Sequence, residues 1–332
     1  MMNKANAHAL VTACRIWFSI ALVALMLTAA LRPAARAAQA TSGDNAVRIG
    51  YQKGGGLMTL MKTQGLLDKT LTAMGYRVSW LEFPAGPQML EALNAGAIDI
   101  ATTGGPAPVF AQAGGYDFVY VGAEPGTVSG EAIVVPEHSP IRSVSQLKGK
   151  KVAFQRGSGS HFLLLAALQK AGLNAADVQP IYLTPADARA AFTSGSIDAW
   201  VVWDPYLAAA EDALKARLLA DYRGLPQIAN FYESSRGFAA RAPQAVAALL
   251  AQAKATGIWA NAHQAEVAGL IAAQTGLPGR VVEVWQRRVR FGTVPVSASI
   301  MQQQQTVADL FYQQKLIPKK IDVNTNVWHW QP

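Results

Sequence analysis

From Val47 onward the chain alternates short β-branched runs with longer stretches whose apolar positions recur at helical spacing, the pattern of α/β units around a mostly parallel sheet. Val47 to Tyr51 predicts a strand, Leu57 to Met74 a helix and Tyr76 to Phe83 a second strand. A helix from Pro87 to Asn94 puts Met89, Leu90 and Leu93 on one face and stops at Gly96. Ile98 to Thr102 follows as a strand end. Asp117 to Glu124 is a further strand, broken by Pro125-Gly126.

After that break the order repeats: a strand over 152–154, a helix over 160–171, a strand over 178–183, a helix over 185–192 stopped by Gly195, and a strand over 197–202. At a fixed shift of 99 residues, Gly96, Ile98, Asp99 and Pro106 fall on Gly195, Ile197, Asp198 and Pro205, which predicts a structural duplication. The final third reads mostly helical (245–262, 263–275, 279–290 and 296–316), and a stretch over 231–238 predicts a return to the first lobe. The expected division is a leader at 1–40, a first lobe at 41–124, a second lobe at 125–230, and a return crossing with C-terminal helices, mainly on the first lobe, at 231–332. A chain of 332 residues is too long for one compact core, which agrees with two lobes.

Composition changes the picture mainly at the N-terminus. Lys4 and Arg15 flank a polar start, residues 16–31 are apolar without a charge, and Ala35-Arg36-Ala37 and Ala38-Gln39-Ala40 are small-x-small cleavage sites, as in a secretory signal peptide. A membrane anchor would want an apolar run of about 20 residues. Four of the 29 basic residues lie in this leader and none of the 21 acidic ones, so its removal leaves 25 basic side chains and a mild positive balance. That is no concentrated basic patch of the kind a nucleic-acid binder carries. Cys14, the single cysteine, also lies there, so the processed chain has no thiol, no disulfide and no thiolate metal site. The histidines show no metal-ligand spacing, and no nucleotide or dinucleotide loop is present, so no cofactor is expected.

The candidate chemistry sits where strands run into helices. Gly54-Gly55-Gly56 before Leu57, and Gly157-Ser158-Gly159-Ser160 before the second-lobe helix, match in context: Tyr51, Gln52, Lys53 and Gly54 recur as Phe154, Gln155, Arg156 and Gly157. A helix N-terminus carries unpaired N–H groups and partial positive charge, and glycine lets an anion approach them. Each loop is therefore expected to be half of one anion clamp, although a single such loop could serve only as a tight turn. At the other strand ends Thr102, Thr103 and Gly104 offer donors, whereas Trp203, Asp204 and Tyr206 offer an aromatic wall with one carboxylate. Trp203 and Tyr206 could equally be ordinary core aromatics, and Asp204 could meet an amine or bond backbone N–H groups. Lys53, Arg156, His161 and Arg236 are the candidates for a full positive charge, with His161 foremost, although a solvated surface role is the one expected of each, since neutral donors and helix ends can hold an anion alone. Glu124 is placed as a hinge or interlobe residue. Ser160 and His161 are sequence neighbours and do not make a nucleophile–base pair.

The strings VRIGYQKG, WLEFPAGPQMLEALNAGAIDIATTG, LKGKKVAFQRGSGSHFLL, YLTPADARAAFTSGSIDAWVVWDPY and DLFYQQKLIPKKIDV resemble the aliphatic-sulfonate substrate-binding proteins of bacterial ABC transporters over roughly 47–323. The resemblance implies a type II periplasmic binding protein fold, a mixed α/β structure of two lobes joined by two crossing strands. It implies a monomer that is not an enzyme and that hands a small organosulfonate to a membrane permease. Carried over by position, the ligand site would be Gln52, Gly54, Gly55, Gly56, Thr102, Thr103, Gly104, Ser158, Gly159, Ser160, His161, Trp203 and Asp204. GAEPGTVSGEAIVV is smaller and less basic than the family pattern, and TTGGPAP carries a glycine where a larger residue is common; both fall at the mouth of the site. Taurine, nitrate or another small anion is the alternative ligand. A desulfinase of the same fold would attack sulfur with a thiolate that the processed chain lacks.

Overall fold

The computed structural model describes residues 45–52 and 56–329. The expected leader, Cys14, Lys53, Gly54 and Gly55 lie outside the described residues.

The first lobe is built from β1 (Ala46–Gln52), α1 (Leu57–Gln64), α2 (Leu66–Ala73), β2 (Arg77–Phe83), α3 (Gly86–Asn94), β3 (Ile100–Gly104), α4 (Pro106–Ala113) and β4 (Phe118–Glu124). The second contains β5 (Glu131–Val135), β6 (Lys151–Phe154), α5 (Gly159–Lys170), β7 (Gln179–Tyr182), α6 (Pro185–Thr193), β8 (Ala199–Trp203), α7 (Tyr206–Leu214) and β9 (Arg217–Asp221). β10 (Asn230–Ser235), α8 (Arg236–Arg241), α9 (Pro243–Ala262), α10 (Gln264–Thr275), α11 (Gly279–Arg288) and α12 (Ala298–Gln313) follow.

Two five-stranded sheets result, ordered β2-β1-β3-β10-β4 and β7-β6-β8-β5-β9. β1 pairs in parallel with β3, Ile49 opposite Ile100, and β6 in parallel with β8, Val152 opposite Ala199. In each, the fourth position is an antiparallel strand that has just entered from the other lobe: β10 in the first sheet, β5 in the second. The chain thus crosses twice, between β4 and β5 and between β9 and β10. Gly126 and Ile228, one from each crossing, touch so closely that a Cβ on Gly126 would lie 1.8 Å from the Ile228 carbonyl oxygen.

The duplication has a physical basis at the residues that reveal it. Gly96 and Gly195 both adopt φ 71°, the left-handed conformation that ends the preceding helix. Asp99 and Asp198 then pin the neighbouring parallel strand in the same way, each accepting from one backbone N–H: Arg48 at 2.9 Å and Lys151 at 2.8 Å.

Some elements differ from expectation. The helix expected over 57–74 breaks at Gly65, whose left-handed φ of 63° ends α1 and starts α2. β5 begins inside what the sequence marks only as a crossing, and β9 has no expected counterpart, because its Arg-Leu-Leu-Ala-Asp run carries neither β-branched residues nor alternation. The C-terminal helices divide between the lobes. α9 packs on α1 and α2 of the first lobe and α12 on α4, whereas α11 packs on α7 of the second.

The buried core is continuous across the two lobes. Phe110 of α4 stacks with His161 of α5 at 6.1 Å, and Phe311 of α12 lies 4.9 Å from Phe110 and 5.2 Å from His161. Burying a phenylalanine contributes roughly 2–3 kcal/mol, so this aromatic cluster fixes how α4 and α5 lie side by side, and with them the loops at their N-termini.

Candidate functional site

Between the lobes lies a cavity of about 230 Å³. Its walls are strand ends and helix starts, as the strand–helix alternation requires when both sheets present their carboxyl edges to one cleft. Residues at the starts of α1 (Gly56, Leu57), α3 (Gly86, Pro87) and α5 (Ser158, Gly159) border it, together with Ala107 in the first turn of α4 and Pro205, the N-cap of α7. Five helix N-termini therefore direct partial positive charge at one small volume.

Several expected residues line this cavity: Gln52, Gly56, Thr102, Thr103, Gly104, Ser158, Gly159, Trp203 and Asp204. Their donors are not all equally available. Gln52 Nε2 donates to the Thr102 carbonyl at 3.1 Å, the Ser158 hydroxyl to the Gln155 carbonyl at 2.7 Å, and the Thr103 hydroxyl to buried Glu233 at 2.6 Å. Thr102 differs. Its Oγ1 is buried and has no hydrogen-bond partner, and the N–H groups of Gly159 and Ser160, in the first turn of α5, have no acceptor among the described residues. Thr102 borders the cavity from the first lobe and Gly159 from the second. Gly104 and Gly159 nearly meet across the gap, a Cβ on Gly104 falling 3.7 Å from the Gly159 nitrogen. Gly56, with φ 92°, starts α1 in a conformation that side chains rarely adopt.

Two expected residues turn away. His161 is buried among Phe154, Phe110 and Phe311 and accepts the Gly157 N–H on Nδ1 at 3.3 Å. Burial, with Arg156 adding repulsion, pushes it down to about 3. It is thus a neutral prop beneath the glycine loop, which corrects the solvated surface role expected of it as well as the alternative of a positive charge. The Ser160 hydroxyl, also expected to face the anion, donates instead to Glu131 Oε1 at 2.7 Å. Two other cation candidates are placed elsewhere: Arg156 lies over the Tyr182 ring at 5.7 Å and Arg236 pairs with Asp117 at 2.8 Å. Tyr206 borders a neighbouring cavity of about 300 Å³ with Tyr51, so only the Trp203 half of the expected wall faces this one.

The sequence did not reveal the rest of the wall. Trp285 and Phe291, 6.0 Å apart and edge to face, reach the cavity from the C-terminal region, with Tyr222 on the second-lobe side. Arg290 lines it as an exposed cation with no ion pair among the described residues. Neighbouring Arg288 is committed, to Asp204 at 3.4 Å and to Glu211. The Arg287-Arg288-Val289-Arg290-Phe291 run was the available signal, but nothing local indicates which arginine faces the site.

Three carboxyls also border the cavity. Glu124 receives the Tyr232 hydroxyl, Glu131 that of Ser160, and Asp204 the Ala208 N–H at 2.9 Å beside Arg288. Asp204 is buried and Glu124 and Glu131 are partly so, and this burial pushes each up to about 7, against those hydrogen bonds and, for Asp204, against the Arg288 charge. No group of three metal-ligating side chains occurs among the described residues.

A two-lobed α/β chain with crossed strands and a donor-lined interlobe cavity has the periplasmic binding protein fold, the class of the solved structures it matches. Over residues 40–273 the chain matches, and belongs to, the NMT1-like family. It is 45% identical over 308 residues to the putative aliphatic sulfonates-binding protein of Escherichia coli (strain K12), covering 92% of this chain and 96% of that protein. Among solved structures it is similar to the alkanesulfonate-binding protein of Xanthomonas axonopodis pv. citri bound to MOPS, with 42% identity, a TM-score of 0.82, and 87% and 99% of the two chains covered. The crystal structure of the periplasmic aliphatic sulphonate binding protein from Escherichia coli matches at 46% identity and TM-score 0.78, covering 86% and 93%.

Proposed function

We propose that this chain is the periplasmic solute-binding component of an ABC importer and captures aliphatic sulfonates. The observation that carries this reading is the cavity itself: Thr102 on one wall with its unpartnered hydroxyl and Gly159 on the other with its unpartnered N–H, helix N-termini behind them, and Trp203, Trp285 and Phe291 beside them. A sulfonate stays a monoanion at ordinary pH and is held well by neutral donors and helix ends, while its carbon tail takes the aromatic side. The relatives' names agree with this reading. The carried-over residues act as ligand contacts, with Gly54 and Gly55 completing the first-lobe half of the clamp. His161 supports its loop from behind, and Ser160 contributes through its N–H. The leader at 1–40 directs export, the protein works as a monomer, and a membrane permease receives the ligand.

A thermal-shift panel on the processed protein tests this, with short and long alkanesulfonates, 2-aminoethanesulfonate, sulfate and nitrate. A ligand at 100 times its dissociation constant adds roughly 2.7 kcal/mol, a shift of roughly 5 °C or more for a protein of this size. Shifts with alkanesulfonates are expected. A response to sulfate or nitrate alone would show that the aromatic wall plays no part in selecting the ligand.

A further inference from the structure

The second-lobe half of the clamp is already shadowed by one of the chain's own acids. Glu131, at the start of β5, borders the cavity, and its Oε2 lies so near the α5 N-terminus that a Cβ on Gly159 would come within 2.5 Å of it. Its other oxygen takes the Ser160 hydroxyl. An anion resting on the Gly159 N–H therefore rests against this carboxyl.

No cation among the described residues is paired with Glu131. From α5 it faces Ser160, with His161 turned behind the loop; from β8, its cross-strand partner Trp203 and then Asp204, whose charge Arg288 answers. From the β9 side come Asp221, paired with Arg223 at 2.9 Å, and the Tyr222 hydroxyl, which donates to the Gly159 carbonyl at 3.2 Å and also lies within hydrogen-bonding reach of the Glu131 carboxyl. Glu124 and Arg290 also border the cavity. Two negative charges in contact repel strongly where burial strips water from the carboxyl. A sulfonate cannot take up a proton at these pH values, so the carboxyl must.

We infer that the sulfonate is captured together with one proton, carried by Glu131, which in its neutral form donates a hydrogen bond to a ligand oxygen. No bond is broken: the proton comes from solvent on binding and returns on release. This rests on the sulfonate reading above. It is supported by the burial that already raises Glu131 to about 7; an adjacent anion raises it further.

Titration calorimetry of the processed protein with propanesulfonate, at pH 6 and pH 8 and in two buffers of different ionisation enthalpy, tests it. Affinity should fall about tenfold from pH 6 to pH 8, with uptake close to one proton per ligand at pH 8. Glu131→Gln, which keeps a donor and cannot titrate, should flatten that slope; the wild-type measurements stand alone if the variant fails to fold. Wild-type affinity equal at both pH values without proton uptake, or an undiminished slope in Glu131→Gln, would overturn the inference and leave the sulfonate reading intact. Tighter binding of 2-aminoethanesulfonate than of ethanesulfonate at pH 8 without proton uptake would also overturn it, because Glu131 would then be a carboxylate facing an ammonium. Absence of propanesulfonate binding at either pH would overturn both readings.

Discussion

Thr102 holds the clearest separation between stability and binding. Its buried hydroxyl has no hydrogen-bond partner among the described residues, so Thr102→Val, which keeps the shape and removes the unmet polar atom, should leave the unfolding midpoint unchanged or raise it slightly. The same change should weaken sulfonate binding about fivefold to tenfold, the worth of one hydrogen bond to a charged group. Calorimetry and thermal unfolding on the same preparation check both. Gly159→Ala weakens binding by crowding instead of by a lost donor. The new methyl collides with Glu131 Oε2 at 2.5 Å and should lower affinity at least tenfold by displacing that carboxyl into the ligand space. The sequence marked both positions, since hydroxyls and glycines at strand ends are recognisable by type. It could not say that the neighbouring Thr103 hydroxyl is already spent on Glu233, 130 residues away.

At the scale of elements, the two crossings behave as one unit. With the Ile228 carbonyl 1.8 Å from any Cβ at position 126, Gly126→Ala must push the crossings apart. It should cost about 2 kcal/mol or more, read as a lower denaturant midpoint at unchanged slope. Loss of ligand affinity should accompany it, because Glu124 and Glu131 flank that crossing. Helices and most strands were legible because each carries its own period and its own stop, as Gly96 and Gly195 show. β5 and β9 were less legible. A strand buried in a sheet's interior needs no alternation, and a short run such as residues 217–221 acquires strand geometry only by pairing with β5.

For the molecule as a whole, the cavity acids set a pH dependence of stability. Glu124, Glu131 and Asp204 are each raised from the ordinary carboxylate range to about 7. Their folded-state preference for the proton is therefore fully present below the unfolded values and is lost as pH rises through 7. The ligand-free protein should unfold at a lower temperature at pH 8 than at pH 5, and Glu131→Gln should narrow the gap. His161 works in the other direction: lowered to about 3, its contribution is present above 6.5 and falls away as pH drops below that. A scan extended below pH 5 should therefore show the gain from the acids eroding sooner in the wild type than in His161→Phe.

The sequence by itself determined the α/β alternation, the doubled lobe, the glycine-rich helix starts and the family, because each is written in neighbouring residues whose spacing and conformational freedom act locally. Tertiary structure alone decided what each of those groups meets. Arg288 reaches Asp204 across 84 residues and Ser160 reaches Glu131 across 29, while Trp285, Arg290 and Phe291 arrive from the C-terminal region. Which donor stays free, and which acid lies against the bound anion, depends on how two sheets and α11 dock. Docking is a sum over many distant contacts that no local pattern records.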